Sequence, residues 1–188
     1  MLKKTTKQYC LEALEVLLTE KPYNKISVRD IANKVGISTV TFYKYFDSKA
    51  DLYYWAVHET GKLHYSRFDE DYTWYNYLYS ILCLNLVNKH NIKNITKNSE
   101  NYYEEKTVTF RSNLELMTEY IRSHFGQEAL SEEVMTAIHV YLRGIISYME
   151  NDAKEGMKAD RKKMAEYLTG AMPEILKKYI PHQINNLV

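Results

Sequence analysis

Residues 27–52 read SVRDIANKVGISTVTFYKYFDSKADL, a run that fits two short crossed helices with a third entering behind them. Ser27 and Asp30 have the S-x-x-D spacing of a capping box, in which side-chain oxygens satisfy orphan N–H groups of a first turn. Val28, Ile31, Ala32 and Val35 then recur on a 3.6-residue period. Gly36 follows at once, where a left-handed C-terminal turn costs least without a Cβ, and Ser38 can cap the next helix. That helix, about Thr39 to Phe46, sets Phe42 and Phe46 on one face and leaves Thr39, Thr41, Tyr43 and Lys44 toward solvent. Ser48 with Asp51 repeats the capping spacing and starts a third helix through Leu52, Trp55 and Ala56. Lys49 stands in its first turn, where the macrodipole disfavours a cation; a nearby phosphate would supply a reason. Together these features describe a device for reading a DNA groove.

The segment resembles the N-terminal helix-turn-helix of the TetR family of transcriptional regulators. The matching residues are Ile31-Ala32, Gly36-Ile37-Ser38, Thr41-Phe42-Tyr43, Phe46, and Ser48-Lys49 with Leu52, in one ungapped run. The likeness covers about residues 5–60, and the rest of the chain matches the family only in length and helical layout. Val40 departs from it, since many members carry a small residue there; its methyls could instead meet a thymine methyl. The resemblance implies a DNA-binding set of Ser27, Arg29, Ser38, Thr39, Val40, Thr41, Tyr43, Lys44, Tyr45 and Lys49. Within it, Tyr43 and Lys49 match phosphate-contacting positions. Arg29 and Lys44 have the chemistry for guanine O6 or N7, and Thr39, Val40 and Thr41 are placed for thymine methyls or single hydrogen bonds.

Charge distribution agrees with a nucleic-acid partner. The net charge is only +1, yet residues 1–52 carry nine Lys/Arg against six Asp/Glu, and the remainder 16 against 18. Positive charge thus gathers at the reading motif, as counterion release requires. Lys3, Lys4 and Lys7, ahead of the motif on a helix from about Thr5 to Glu20, are candidates to extend that surface. No apolar run approaches the ~20 residues of a membrane span, and the N-terminus lacks a signal-peptide core, so a cytoplasmic, membrane-free protein is expected. Cys10 and Cys83 are far apart and read as buried thiols rather than a disulfide framework.

Downstream, a polar stretch from Ser66 to Tyr72 marks a connection. Thr73 can cap a helix that is apolar nearly all round to Val87, as befits a central position. Asn88–Asn101 holds five Asn and three Lys and reads as a fourteen-residue polar loop. Helices are expected over about Tyr102–Phe125, closed by Gly126, over 131–155 and over 160–178, with Pro173 kinking or splitting the last. The fold expected is all-α, with eight or nine helices. A three-helix helix-turn-helix domain (1–50) precedes a helical effector-binding and dimerisation domain (51–188). The resemblance implies a homodimer in which the last two long helices pair with a second copy as a four-helix bundle.

The six glycines are never closer than twelve residues, which excludes GxGxxG and GxxxxGK[ST] phosphate loops. There is no G-x-S-x-G or H-E-x-x-H, and no metal or other cofactor is expected. Most of the eighteen tyrosines fall between residues 53 and 120, a composition suited to a small-molecule pocket or simply to amphipathic helix boundaries. Tyr77, Phe110, Arg111, Leu114, His139 and Arg143 are the candidate effector-binding residues, the cationic ones for an anionic or polar ligand. The expected function is a sequence-specific regulator of double-stranded operator DNA, a repressor released by a small-molecule effector. An alternative is a regulator or coactivator whose C-terminal domain binds a partner protein. A third, an enzyme with a DNA-binding head, needs a catalytic constellation that the chain does not display.

Overall fold

The structure is a computed structural model; it describes residues 4–69, 71–96 and 102–184, with the side chains of 96 and 102–106 left aside. Ten α-helices are present among the described residues, and no strand. They are α1 (Thr6–Glu20), α2 (Val28–Val35), α3 (Thr39–Tyr43), α4 (Lys49–Tyr65), α5 (Trp74–Val87), α6 (Lys89–Thr96), α7 (Tyr102–Phe125), α8 (Glu132–Lys154), α9 (Arg161–Gly170) and α10 (Glu174–Lys177). None of the described helices is long and apolar enough to cross a membrane.

Two apolar clusters organise the chain. The first joins Leu14, Ile31, Phe42 and Leu52, each fully buried, from the first four helices. The second is built on Trp74, Met117, Ile121, Ile138 and Leu176 from α5, α7, α8 and α10. α4 runs unbroken between them, giving Leu52 to one and Tyr65 to the other. It packs along α7, where a methyl on Gly61 would meet the end of the Leu116 side chain and force it to shift. A buried polar thread ties the second cluster together: Trp74 Nε1 donates to Tyr141 Oη at 2.9 Å, and Tyr141 Oη donates to the Leu168 carbonyl at 2.7 Å. Tyr141 thereby links α5, α8 and α9, with its own hydroxyl and the Trp74 N–H both matched.

Several boundaries differ from the sequence reading. α3 ends at Tyr43 rather than near Phe46: Lys44 N and Tyr45 N donate three residues back, to Thr41 O and Phe42 O, tightening the chain into a turn that still delivers Phe46 to the core at 2 % exposure. The 160–178 helix is split, with Pro173 at the N-cap of α10. Asn88–Asn101 is not a loop throughout, because Lys89–Thr96 is α6 and only 97–101 lies outside the described residues. Ile92 and Ile95 explain the helix: three apart, they share a face and join the first apolar cluster. Cys10 is buried and Cys83 only half-buried, both as free thiols.

Candidate DNA-reading surface and effector cavity

The turn motif is assembled by short-range hydrogen bonds. Ser27 Oγ accepts from Asp30 N at 3.1 Å while Asp30 Oδ2 accepts from Ser27 N at 2.8 Å, closing the capping box of α2. The Ser27 bonds, with Lys21 Nζ at 3.0 Å, hold the Asp30 carboxyl down at about 2. Gly36 takes φ +81°, and the N–H groups of Gly36 and Ile37 both donate to Ala32 O, at 2.9 and 3.0 Å. This left-handed ending satisfies carbonyls that a helix end otherwise leaves open. Ser38 Oγ then accepts from Thr41 N at 3.0 Å and caps α3.

Most of the proposed DNA-binding side chains are presented outward. Ser27, Arg29, Ser38, Lys44 and Tyr45 are exposed, Val40 and Tyr43 strongly so at 68 % and 54 %. Thr39 and Thr41 are half-buried, and the Thr41 hydroxyl lies 2.9 Å from Ser38 Oγ, so it serves the cap. Lys49 differs from the rest. Its ammonium donates to Tyr23 O at 2.6 Å and Ile26 O at 2.8 Å, and stands 3.7 Å from the Tyr23 ring centroid. The cation at the start of α4 therefore has a reason within the protein: it ties the turn before α2 to α4. Lys4 pairs with Glu12 at 2.6 Å, Lys7 lies over the Phe46 and Trp55 rings, and Lys3 falls outside the described residues.

Between α1, α4, α5, α6, α7 and α8 lies a cavity of about 300 Å³. Its walls are mainly apolar, Leu14, Val57, Ile81, Ile92, Ile146 and Met149 among them. At one side Tyr77 Oη donates to Asn113 Oδ1 at 2.6 Å, and Asn113 Nδ2 donates to Thr109 O at 2.9 Å. Arg161 and Asp152, 8 % and 9 % exposed, pair in bidentate fashion at 2.6 and 3.0 Å where α8 meets α9, also on the lining. A larger depression of about 580 Å³ between α4 and α7 is more open and edged by charged side chains such as Lys62, Glu119 and Arg122.

Of the six candidate effector residues only Tyr77 lines the cavity. Phe110, His139 and Arg143 form a separate α7–α8 group, with the Phe110 and His139 ring centroids 5.3 Å apart and the Arg143 guanidinium 4.1 Å from the Phe110 centroid. Arg111 bonds Glu115 at 3.0 Å and covers the Tyr54 ring. Tyr54 in turn donates to the Glu115 carboxylate; burial first, and then that bond, push its phenol up to about 12. Leu114 packs at the edge of the second apolar cluster. The polar cavity residues that sequence reasoning passed over include Asn85, Asn88, Asn91, Asn113, Glu15, Glu150 and the Asp152–Arg161 pair. One signal was available, the asparagines at 85, 88, 91 and 94 spaced at three residues across the end of α5 and α6. Among the described residues no group of three or more His, Cys, Asp or Glu is placed to hold a metal ion.

An exposed, doubly capped turn motif on an all-α frame defines the class: helix-turn-helix DNA-binding transcriptional regulators. Residues 11–54 match the family described as bacterial regulatory proteins, tetR family, so the N-terminal segment is a TetR-family helix-turn-helix domain. No curated protein sequence matches the chain significantly. In fold it is similar to the Dihydroxyacetone kinase operon activator DhaS, with a TM-score of 0.58 and 20 % identity over 93 % of this chain and 96 % of that one. It is likewise similar to a TetR transcriptional regulator from Rhodococcus sp. RHA1, with a TM-score of 0.58 and 20 % identity over 93 % and 98 %.

Proposed function

We propose that the protein is a homodimeric repressor whose operator affinity is lowered by a small molecule held in the 300 Å³ cavity. The reading head is residues 1–50 and the remainder is the effector and dimerisation domain. One observation carries this reading: the cavity is walled by Leu11, Leu14 and Leu18 of α1 as well as by α5–α8. A ligand there touches the reading head directly. Two heads must meet major-groove half-sites about 34 Å apart or a multiple of it, so a shift of α1 relative to α8 costs phosphate and base contacts together. Operator and effector are then coupled reciprocally. Cavity size also supports a ligand over the partner-protein alternative, since 300 Å³ is about ten times the ~30 Å³ of one water. The name of DhaS, an operon activator, belongs to that protein; the direction of regulation here is part of the proposal.

Filling the cavity is the test. Ile146→Trp in the full chain is expected to lower affinity for an operator selected by the protein from a random duplex pool, by about tenfold or 1.4 kcal/mol, as anisotropy would read. Unchanged operator affinity with a folded Ile146→Trp chain would remove the coupling on which the reading depends.

A further inference from the structure

We infer that the cavity takes a lipophilic organic cation, an apolar body carrying one ammonium-type group, rather than a carboxylate or phosphate; this deepens the effector reading above and rests on it. The lining holds three carboxylates, Glu15, Glu150 and Asp152, and one guanidinium, Arg161; Glu150 is bonded to Lys154 at 2.7 Å and Asp152 to Arg161, which leaves Glu15 as the acid of this lining outside an ion pair. That guanidinium is already committed: Nη1 and Nη2 bind Asp152, while Nε and Nη2 bind Ala159 O at 2.9 and 2.7 Å. Among the described residues no other Lys or Arg lines the cavity. An anion entering it would give up its hydration without an uncommitted counter-charge, which is unfavourable.

A cation meets the opposite situation. Tyr53 and Tyr77 are the aromatic residues of the lining, and an aromatic ring attracts an alkylammonium through its quadrupole. The Glu15 carboxylate stands on the same lining and can neutralise a positive group, and the Asn85 and Asn88 amides there can turn their carbonyl dipoles toward it. Glu15 is exposed at the rim; the burial it does have, with Glu12 beside it, holds its carboxyl above the ordinary range, as expected of an acid lacking a cationic neighbour. The remaining wall is aliphatic, so most of the ligand must be apolar. Because Glu15 belongs to α1, the cation's charge would act on the reading head itself.

The test uses the full chain and three probes sharing a phenylalkyl body, ending in trimethylammonium, hydroxyl or carboxylate, titrated calorimetrically. The ammonium is expected to bind about tenfold more tightly than the alcohol, the order of one cation–π contact plus one rim charge, with the carboxylate weakest. Glu15→Gln should narrow the ammonium-to-alcohol ratio about threefold, and Glu15→Lys, which sets a like charge at the rim, should narrow it further. Equal binding of all three probes, tightest binding of the carboxylate, or no binding of any would overturn the cation assignment. Operator release is followed in parallel. Ammonium binding that leaves operator affinity unchanged would sink the effector reading and keep the ligand class; release by the alcohol or carboxylate without ammonium preference would do the reverse.

Discussion

Lys49 and its neighbours separate side chains that hold the reading head together from side chains that face DNA. The Lys49 ammonium bridges Tyr23 O and Ile26 O, carbonyls that lose a charged donor if it is removed. Lys49→Met is expected to cost about 1.5–3 kcal/mol of stability, the range for hydrogen bonds to charged groups, measured by urea denaturation. The slope of log affinity against log salt should stay unchanged; a slope shallower by about one would return Lys49 to phosphate contact. Arg29→Ala and Lys44→Ala, whose side chains are exposed, should instead cost about 1–3 kcal/mol on the selected operator and much less on scrambled duplex. Asp30 makes a pH prediction. Its carboxyl lies at about 2, below the ordinary 3.8, so the ionised form is favoured by folding; the stability it confers is present above 3.8 and is lost as pH falls toward 2. Denaturation of Asp30→Asn should show less pH dependence than the parent across that window, and identical profiles would deny Asp30 the role.

At the scale of elements, α6 is the part whose existence depends most on what lies beside it. His90 Nε2 lies 3.1 Å from Thr19 O, Asn94 Nδ2 donates to Leu18 O at 2.7 Å, and Asn91 Nδ2 donates to Glu15 O at 3.3 Å. Leu18 and Thr19 lie in the last turn of α1, whose carbonyls have no partner within the helix, so α6 closes the end of α1 with the Asn94 amide and the His90 imidazole. Ile95, 8 % exposed, adds the apolar half of the seam. Ile95→Ala should cost about 2–4 kcal/mol and, more tellingly, raise amide exchange in α6 and the C-terminal turn of α1 before α7 and α8 respond. Uniform loss of protection across the chain would show instead that this seam is not a separable unit.

At the scale of the whole molecule, α8 and α9 each leave large apolar side chains uncovered among the described residues. Val140 and Tyr148 on α8 and Tyr167 on α9 are 67 %, 52 % and 68 % exposed; Val140, Gly144 and Tyr148 are spaced at i, i+4 and i+8, and nothing lies within 4 Å of a Cβ added at Gly144 or Gly170. A second copy packed helix to helix against α8 and α9 would bury those side chains and use the glycines for close approach. Val140→Glu with Tyr167→Glu is expected to convert a dimer into a monomer by light scattering at micromolar concentration and to cut affinity for a two-half-site operator far more than for a single half-site. A parent chain that is already monomeric would remove this element of the proposal.

The features legible in the sequence are those governed within about four residues. The Ser27–Asp30 box, the Gly36 turn, the Ser38 and Ser48 caps and the break at Pro173 each depend on a side chain meeting nearby backbone, which spacing encodes directly. The period of Val28, Ile31, Ala32 and Val35 likewise foretold which face of α2 meets the core. Other features waited on distant partners. Lys49 meets carbonyls 26 and 23 residues earlier, and Asn94 one 76 residues earlier; a polar helix such as α6 therefore looks like a loop until α1 is beside it. Phe110, His139 and Arg143 have the residue types of a binding site but turn to one another, while Glu15 and Asn85, four helices apart, share a cavity wall. Amino-acid order specifies caps and stripes because those bonds close locally, whereas a cavity is the space left when six helices pack, and its lining exists only in three dimensions.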